Sequence, residues 1–269
     1  MNKANGNWEA ALLNRMFGSP TMSKGDLMSR TLENATALVT GASSGIGRAT
    51  ASILARSKAR VALVGRRQSV LEELAMECGS LASAYPCDMT DDAQLKRLAT
   101  RIQADFAGID ILVQSSGIIK LGKTETSPVA DLDAQYAANV RGPYILTQLL
   151  LPLLRAASGQ IVFVNSSITR AHNTAGRGSY AATQQAVHSM ANALRDEVNE
   201  AGVRVTTIFP GTTATQRQVN LHEITGRRYD PDRMLQPEDV AEAVLFALTI
   251  GRTAEITDLY LRPMLKPLV

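Results

Sequence analysis

With 269 residues, 45% of them apolar and 20% charged, the chain is long enough for one large domain with its own core and has the make-up of an ordinary globule. A formal net charge of +3 without a long basic block argues against nucleic acid as a partner, and no apolar run approaches the roughly 20 residues that a membrane span needs. The two cysteines, Cys78 and Cys87, lack the spacing of a metal site, so no metal is expected and reduced thiols in the cytoplasm are.

Residues 1–31 read as an N-terminal extension to a single domain over residues 32–269. The extension lacks the continuous apolar core of a secretory signal. Its Trp8, Leu12, Leu13 and Met16 share one face of a short helix, which suits either a loose extension or an arm packed on another subunit. Beyond it, strands are expected at 36–40, 60–64, 83–86, 109–114, 160–165, 203–209 and 256–261, and helices near 45–57, 69–78, 91–106, 129–154, 179–201 and 237–248. The strands are continuous apolar runs, as strands buried on both faces are, and they alternate with helices. This pattern predicts an α/β protein with a parallel sheet wound on both sides by helices. The stretch 211–236, rich in Thr, Arg and Gln, breaks the alternation. It follows the carboxyl end of the sixth strand, where open α/β sheets place ligands, and reads as a lid over a pocket or as a surface loop.

The turn after the first strand, Thr40-Gly41-Ala42-Ser43-Ser44-Gly45-Ile46-Gly47, opens the first helix. Strand, glycine turn and helix in that order aim free backbone N–H groups at a phosphate or pyrophosphate. Gly41 permits the sharp turn, Gly45 lets the backbone approach a ligand, and Gly47 lets the helix pack close. The second strand ends in Val64-Gly65-Arg66-Arg67, with glycine where dinucleotide folds carry an acid for the adenosine ribose. An arginine fork there matches a 2′-phosphate, which favours NADP(H) over NAD(H), with Arg66 ahead of Arg67 as the ligand. The other reading is that both arginines only solvate the next helix. At the end of the third strand, in Cys87-Asp88-Met89, Asp88 is placed either to accept from an adenine amino group or to cap the helix near Asp91.

Together with Asn139-Val140-Arg141-Gly142, Ser167, Tyr180 and Pro210-Gly211-Thr212-Thr213-Ala214-Thr215, these residues carry a likeness. Over residues 32–263 the chain resembles the classical short-chain dehydrogenase/reductase family. The resemblance implies a single Rossmann domain with a doubly wound seven-stranded parallel sheet in the order 3-2-1-4-5-6-7. It also implies hydride transfer between a nicotinamide cofactor and a carbonyl or alcohol, in a homotetramer or homodimer. Cofactor contacts then fall on Gly41, Ser43, Ser44, Gly45, Ile46 and Gly47, on Arg66, Arg67, Asp88 and Met89, and on Ser115, Ser116 and Gly117. They also fall on Tyr180 and Gln184, and on Pro210, Gly211, Thr213 and Thr215, the two threonines lying beside the nicotinamide carboxamide. Each threonine reads alternatively as a helix N-cap.

The family's catalytic asparagine, serine and tyrosine fall on Asn139, Ser167 and Tyr180, and its lysine on Gln184. This is the main departure. A tyrosine hydroxyl gives a proton to the carbonyl oxygen while a serine hydroxyl hydrogen-bonds it. The residue at i+4 shares the tyrosine's helix face, and a glutamine there can bond a ribose but brings no charge. Reduction, which needs a protonated phenol, is therefore expected to be favoured over oxidation, which needs a phenolate. Arg177 reads as a compensating cation or as a surface arginine, and His188 as a packing residue. Gln114-Ser115-Ser116-Gly117 stands where the family has Asn-Asn-Ala-Gly, a milder departure that keeps the glycine. Arg217, His222, Arg227 and Arg228 make the lid basic, which fits an anionic or polar substrate or simply solvated charges. Two functions result: an NADP(H)-dependent reductase or dehydrogenase, or a non-catalytic nucleotide-binding relative that lost turnover with the lysine.

Overall fold

The computed structural model describes residues 31–106 and 108–265. The expectation for the N-terminal extension lies almost wholly outside the described residues. The apolar runs form seven parallel strands: β1 (Thr36–Thr40), β2 (Arg60–Gly65), β3 (Ala82–Pro86), β4 (Ile111–Gln114), β5 (Gln160–Val164), β6 (Arg204–Pro210) and β7 (Asp258–Leu261). Their order is β3-β2-β1-β4-β5-β6-β7, as the resemblance implied. The winding reverses between β1 and β4. The loops leaving those two strands therefore part, which opens a crevice at the carboxyl edge of the sheet.

Side chains alternate across each strand and feed two apolar layers. On one face Leu38, Leu112, Phe163 and Val205 pack with α3 (Asp92–Asp105), α5 (Gly142–Ala156) and α6 (Gly178–Val198). On the other, Val39, Leu63, Val113 and Ile208 pack with α1 (Gly45–Arg56), α2 (Gln68–Cys78) and α8 (Pro237–Thr249). Burial on both faces explains why the strands read as unbroken apolar runs.

Two segments differ from the expectation. The single helix expected over 129–154 is divided: α4 (Val129–Tyr136) passes through a π-helical turn, Ala137–Arg141, before α5 begins. Pro143 has no N–H to offer the Asn139 carbonyl four residues back, so the α-helical ladder cannot continue there. The break falls on Asn139 itself. In the 211–236 stretch the chain forms a helix, α7 (Gln216–Thr225), which buries none of its residues. Among the described residues no helix is long and apolar enough to cross a membrane.

Candidate functional site

A cleft of about 1250 Å³ runs along the carboxyl edge of the sheet. Its floor is the glycine turn. Gly41 takes a φ of +69°, and a Cβ at Gly47 would lie 2.3 Å from the Gly41 carbonyl, so α1 packs directly on the turn that precedes it. Ser44 is the N-cap of α1, but its side chain makes no capping bond. The first N–H groups of α1 are thus left for an anion. Ser43, Ser44, Gly45 and Ile46 line the cleft above them.

The β2 end forms one wall. Arg67 Nη2 donates to Ser43 O at 2.8 Å and lies 3.2 Å from its Oγ, so this arginine is docked on the glycine turn. Arg66 also lines the cleft, and its guanidinium has no partner among the described residues. Asp88 accepts from both the N–H and the hydroxyl of Thr90, while the cap of α3 is Asp91, which accepts from Ala93 N and Gln94 N. Asp88 therefore does not cap that helix, and it lines the cleft beside Met89. Burial, then the Asp88 carboxylate, pushes the neighbouring Cys87 thiol up to about 11, so it meets the cleft as a neutral thiol.

The opposite wall follows β4. Thr40 Oγ1 accepts from the N–H groups of Ser115 and Ser116 at 3.0 and 3.2 Å, which joins the β1 and β4 loops across the crevice. Gln114 is buried, and its amide donates to Pro143 O and Thr147 Oγ1, so the unusual glutamine serves as internal bracing. The Ser116 hydroxyl oxygen is buried without a partner among the described residues, although the residue lines the cleft with Ser115 and Gly117. A buried polar atom costs free energy unless something bonds it. This orphan, the uncapped N–H groups of α1 and the glycine cradle together fit a dinucleotide.

At the far end stand the hydroxyls. Ser166 is occupied as the cap of a short turn, accepting from Ile168 N, whereas the Ser167 hydroxyl has no partner among the described residues and Ser167 lines the cleft. Tyr180 lies in the first turn of α6, half-buried, with its hydroxyl likewise unpartnered. Gln184, one turn on, is buried and lines the same wall. Its backbone carbonyl accepts from Asn165 Nδ2 at 2.9 Å and its side-chain amide has no partner among the described residues. Pro210 and Gly211 end β6 at the cleft. Thr213 Oγ1 donates to Gly211 O, and Thr215 holds the N-cap position of α7 without a side-chain capping bond.

Of the site residues expected from sequence, only Asn139 does not line the cleft. It sits behind the wall, 4% exposed, with Oδ1 accepting from Ile118 N at 2.7 Å and Nδ2 donating to Ile118 O and Thr183 Oγ1. One turn earlier, Gln135 does the same. Its Oε1 accepts from Lys120 N at 2.9 Å and its Nε2 donates to Ser179 Oγ at 2.8 Å. Two amides on one face of α4 and its π-turn thus clamp the β4 loop to the first turn of α6, which carries Tyr180. The sequence reasoning missed Gln135 because its partners are 15 and 44 residues away, and no local pattern marks such a buried glutamine.

Arg177 Nη2 donates to Asn173 O at 3.1 Å, which ties this guanidinium to its own loop. His188 packs its ring edge-on against Phe209, with centroids 4.9 Å apart, and does not line the cleft. Its Nε2 is 3.3 Å from Asp258 Oδ1 without the angle of a hydrogen bond. No group of three or more metal-ligating side chains occurs among the described residues.

A glycine turn leading into a helix, at the switch point of a parallel sheet with a serine and a tyrosine beside it, defines a nucleotide-binding oxidoreductase fold. The short chain dehydrogenase family model matches residues 35–225, and the chain belongs to that family. It is 33% identical over 236 residues to an uncharacterized oxidoreductase of Staphylococcus aureus strain USA300, covering 87% of this chain and 99% of the relative. It is 31% identical over 229 residues to an uncharacterized oxidoreductase of Staphylococcus epidermidis, covering 85% and 96%. Among solved structures it is similar to a 3-ketoacyl-(acyl-carrier-protein) reductase from Brucella melitensis complexed with NADH. That match has a TM-score of 0.77 and 28% identity, and covers 86% of this chain and 97% of that one.

Proposed function

We propose that the chain is an NADP(H)-dependent oxidoreductase that reduces a carbonyl group to an alcohol. The observation that carries this reading is the pair of residues Ser167 and Tyr180, whose hydroxyls have no partner among the described residues and which both line the cleft whose floor is the glycine turn. A nicotinamide dinucleotide bound along the cleft supplies the hydride. The residues of the chain do the rest. Ser167 donates a hydrogen bond to the substrate oxygen and stabilises the charge that develops on it. Tyr180 gives that oxygen its proton. Gln135 and Asn139 act as positioning residues through the first turn of α6, and Gln184 offers an uncharged amide to the cofactor ribose. With no ammonium beside it, the phenol is suited to giving a proton and poorly suited to taking one, so reduction is the favoured direction.

The preference for NADP(H) rests on Arg66, unpartnered, and Arg67, docked on Ser43, at a strand end that lacks an acid. Gly65 is close to the turn: a Cβ there would lie 3.3 Å from Ser43 Oγ. NAD(H) remains the alternative coenzyme. Exposed apolar side chains on α4 and α5 (Leu132, Tyr136 and Tyr144) support a homodimer or homotetramer. Cys78 and Cys87 are unpaired thiols, which supports a reducing compartment such as the cytoplasm. The substrate is a small carbonyl compound rather than a nucleic acid or a membrane.

One observation favours a second reading, a nucleotide-binding protein without turnover: the buried Gln184 where the family carries lysine. Incubating the chain with NADPH and a panel of aldehydes and ketones, beside Tyr180→Phe, separates the two. Turnover that Tyr180→Phe abolishes supports the reductase. Coenzyme binding with no turnover on any substrate supports the second reading.

A further inference from the structure

The basic lid is not absorbed by the reaction just described. Of the five basic residues in 211–236 only Arg217 and His222 line the cleft. Arg217 lies on the first turn of α7, two residues after Thr215, and Thr215 rests on the glycine turn: a Cβ at Gly45 would lie 2.9 Å from Thr215 Cγ2. From there Arg217 crosses to the opposite wall, where its Nη2 donates to Gly117 O at 2.6 Å, joining residues 100 apart in sequence. This is the guanidinium's single bond among the described residues, and it is made to a neutral carbonyl, with no carboxylate in ion-pair range. The lid helix fully buries none of its residues, and the chain on either side of it is tied by the Ala214 N–H to Leu235 O bond at 2.7 Å.

An arginine whose only partner is a carbonyl keeps most of its donors for an anion. It spans the cleft between the Ser115–Gly117 bank and the lid, on the side where Thr215 meets the glycine turn. On the dinucleotide reading, the group that brings charge to that turn is the pyrophosphate. We propose that Arg217 is a coenzyme-binding residue: it latches the lid across the cleft and exchanges the Gly117 carbonyl for a pyrophosphate oxygen when a dinucleotide is bound. The inference rests on the dinucleotide reading above and adds to it. Arg66 and Arg67 discriminate a 2′-phosphate, whereas Arg217 reads a group that NADPH and NADH share.

The test measures dissociation constants and release rates for NADPH, NADH and ADP-ribose by fluorescence and calorimetry, on the full chain and on Arg217→Met and Arg217→Lys. Arg217→Met keeps the aliphatic stem and, on an exposed helix, leaves the core untouched. The expected result is weaker binding and faster release of all three ligands, by roughly ten-fold or more, as loss of a charge-assisted bond predicts. Arg217→Lys should recover part of the loss, and the difference from wild type should shrink with added salt. Unchanged constants in Arg217→Met, with wild type binding normally, overturn the latch and leave the dinucleotide reading intact. A loss confined to NADPH overturns it as well, by placing the arginine at the 2′-phosphate. A wild-type chain that binds none of the three ligands sinks both readings together.

Discussion

The two ends of the cleft are built differently. At the glycine-turn end the lining is backbone and polar side chains already held by the protein: the Gly41–Gly47 turn, Arg67 on Ser43, Thr90 on Asp88, and Thr40 holding the Ser115 and Ser116 N–H groups. At the end proposed for the reaction, the side chains of Ser167, Tyr180 and Gln184 have no partners among the described residues, and the lid helix buries none of its own. On the proposed function, coenzyme binding is preformed, while turnover depends on a few side chains. The proposed function therefore allows the residue at 184 to alter the chemistry without disturbing the fold or the coenzyme site.

That contrast can be broken first at Tyr180. Tyr180→Phe removes the proton donor from an otherwise intact wall, and turnover should fall by about 100-fold or more while coenzyme affinity holds. At the opposite end, replacing Arg66 and Arg67 together by alanine should weaken NADPH by roughly ten-fold or more and leave NADH nearly unaffected, as paired titrations would show. Equal losses for both coenzymes would remove the basis for the NADP(H) preference. Gln184→Lys sharpens the comparison from the other side. An ammonium one turn from the phenol stabilises the phenolate, so alcohol oxidation at neutral pH should rise by about ten-fold. No gain, with fold and coenzyme affinity unchanged, would contradict the account of reaction direction.

Smaller effects lie behind the walls. Gln135→Met leaves Lys120 N–H and Ser179 Oγ without their amide partner and should cost about 1–3 kcal/mol of stability. Because Ser179 precedes Tyr180, kcat should fall more than KM rises, which a purely structural role would not produce. Least of all should come from Asp91, whose carboxyl is held below its ordinary range by the Gln94 N–H, then by the Gln94 side chain. A depressed carboxylate stabilises the fold above the unfolded carboxyl's pKa, and that contribution is lost as pH falls through the folded value. Melting curves of wild type and Asp91→Ala should therefore differ at neutral pH and converge in acid.

Much of this was legible before the fold. Strands buried on both faces announce themselves as apolar runs, which is why β1 was read to the residue, and the glycine turn carries its own geometry. The family likeness points to Ser167 and Tyr180, which both line the cleft. What the sequence hid is non-local. The π-turn follows from one missing N–H at Pro143, and the paired amides of Gln135 and Asn139 join segments 15 to 44 residues apart. A glutamine with no exposure has the same local signature as one on a solvated face. The strand boundaries differ by a residue or two because hydrogen bonding, not hydrophobicity, sets the ends.

The most direct test is a structure of the chain soaked with NADPH and, separately, NADH. The account predicts tighter uptake of NADPH, its 2′-phosphate on Arg66 and Arg67, and its nicotinamide between Thr213 and the Tyr180 hydroxyl. Neither coenzyme retained, or a nicotinamide far from that hydroxyl, would contradict it.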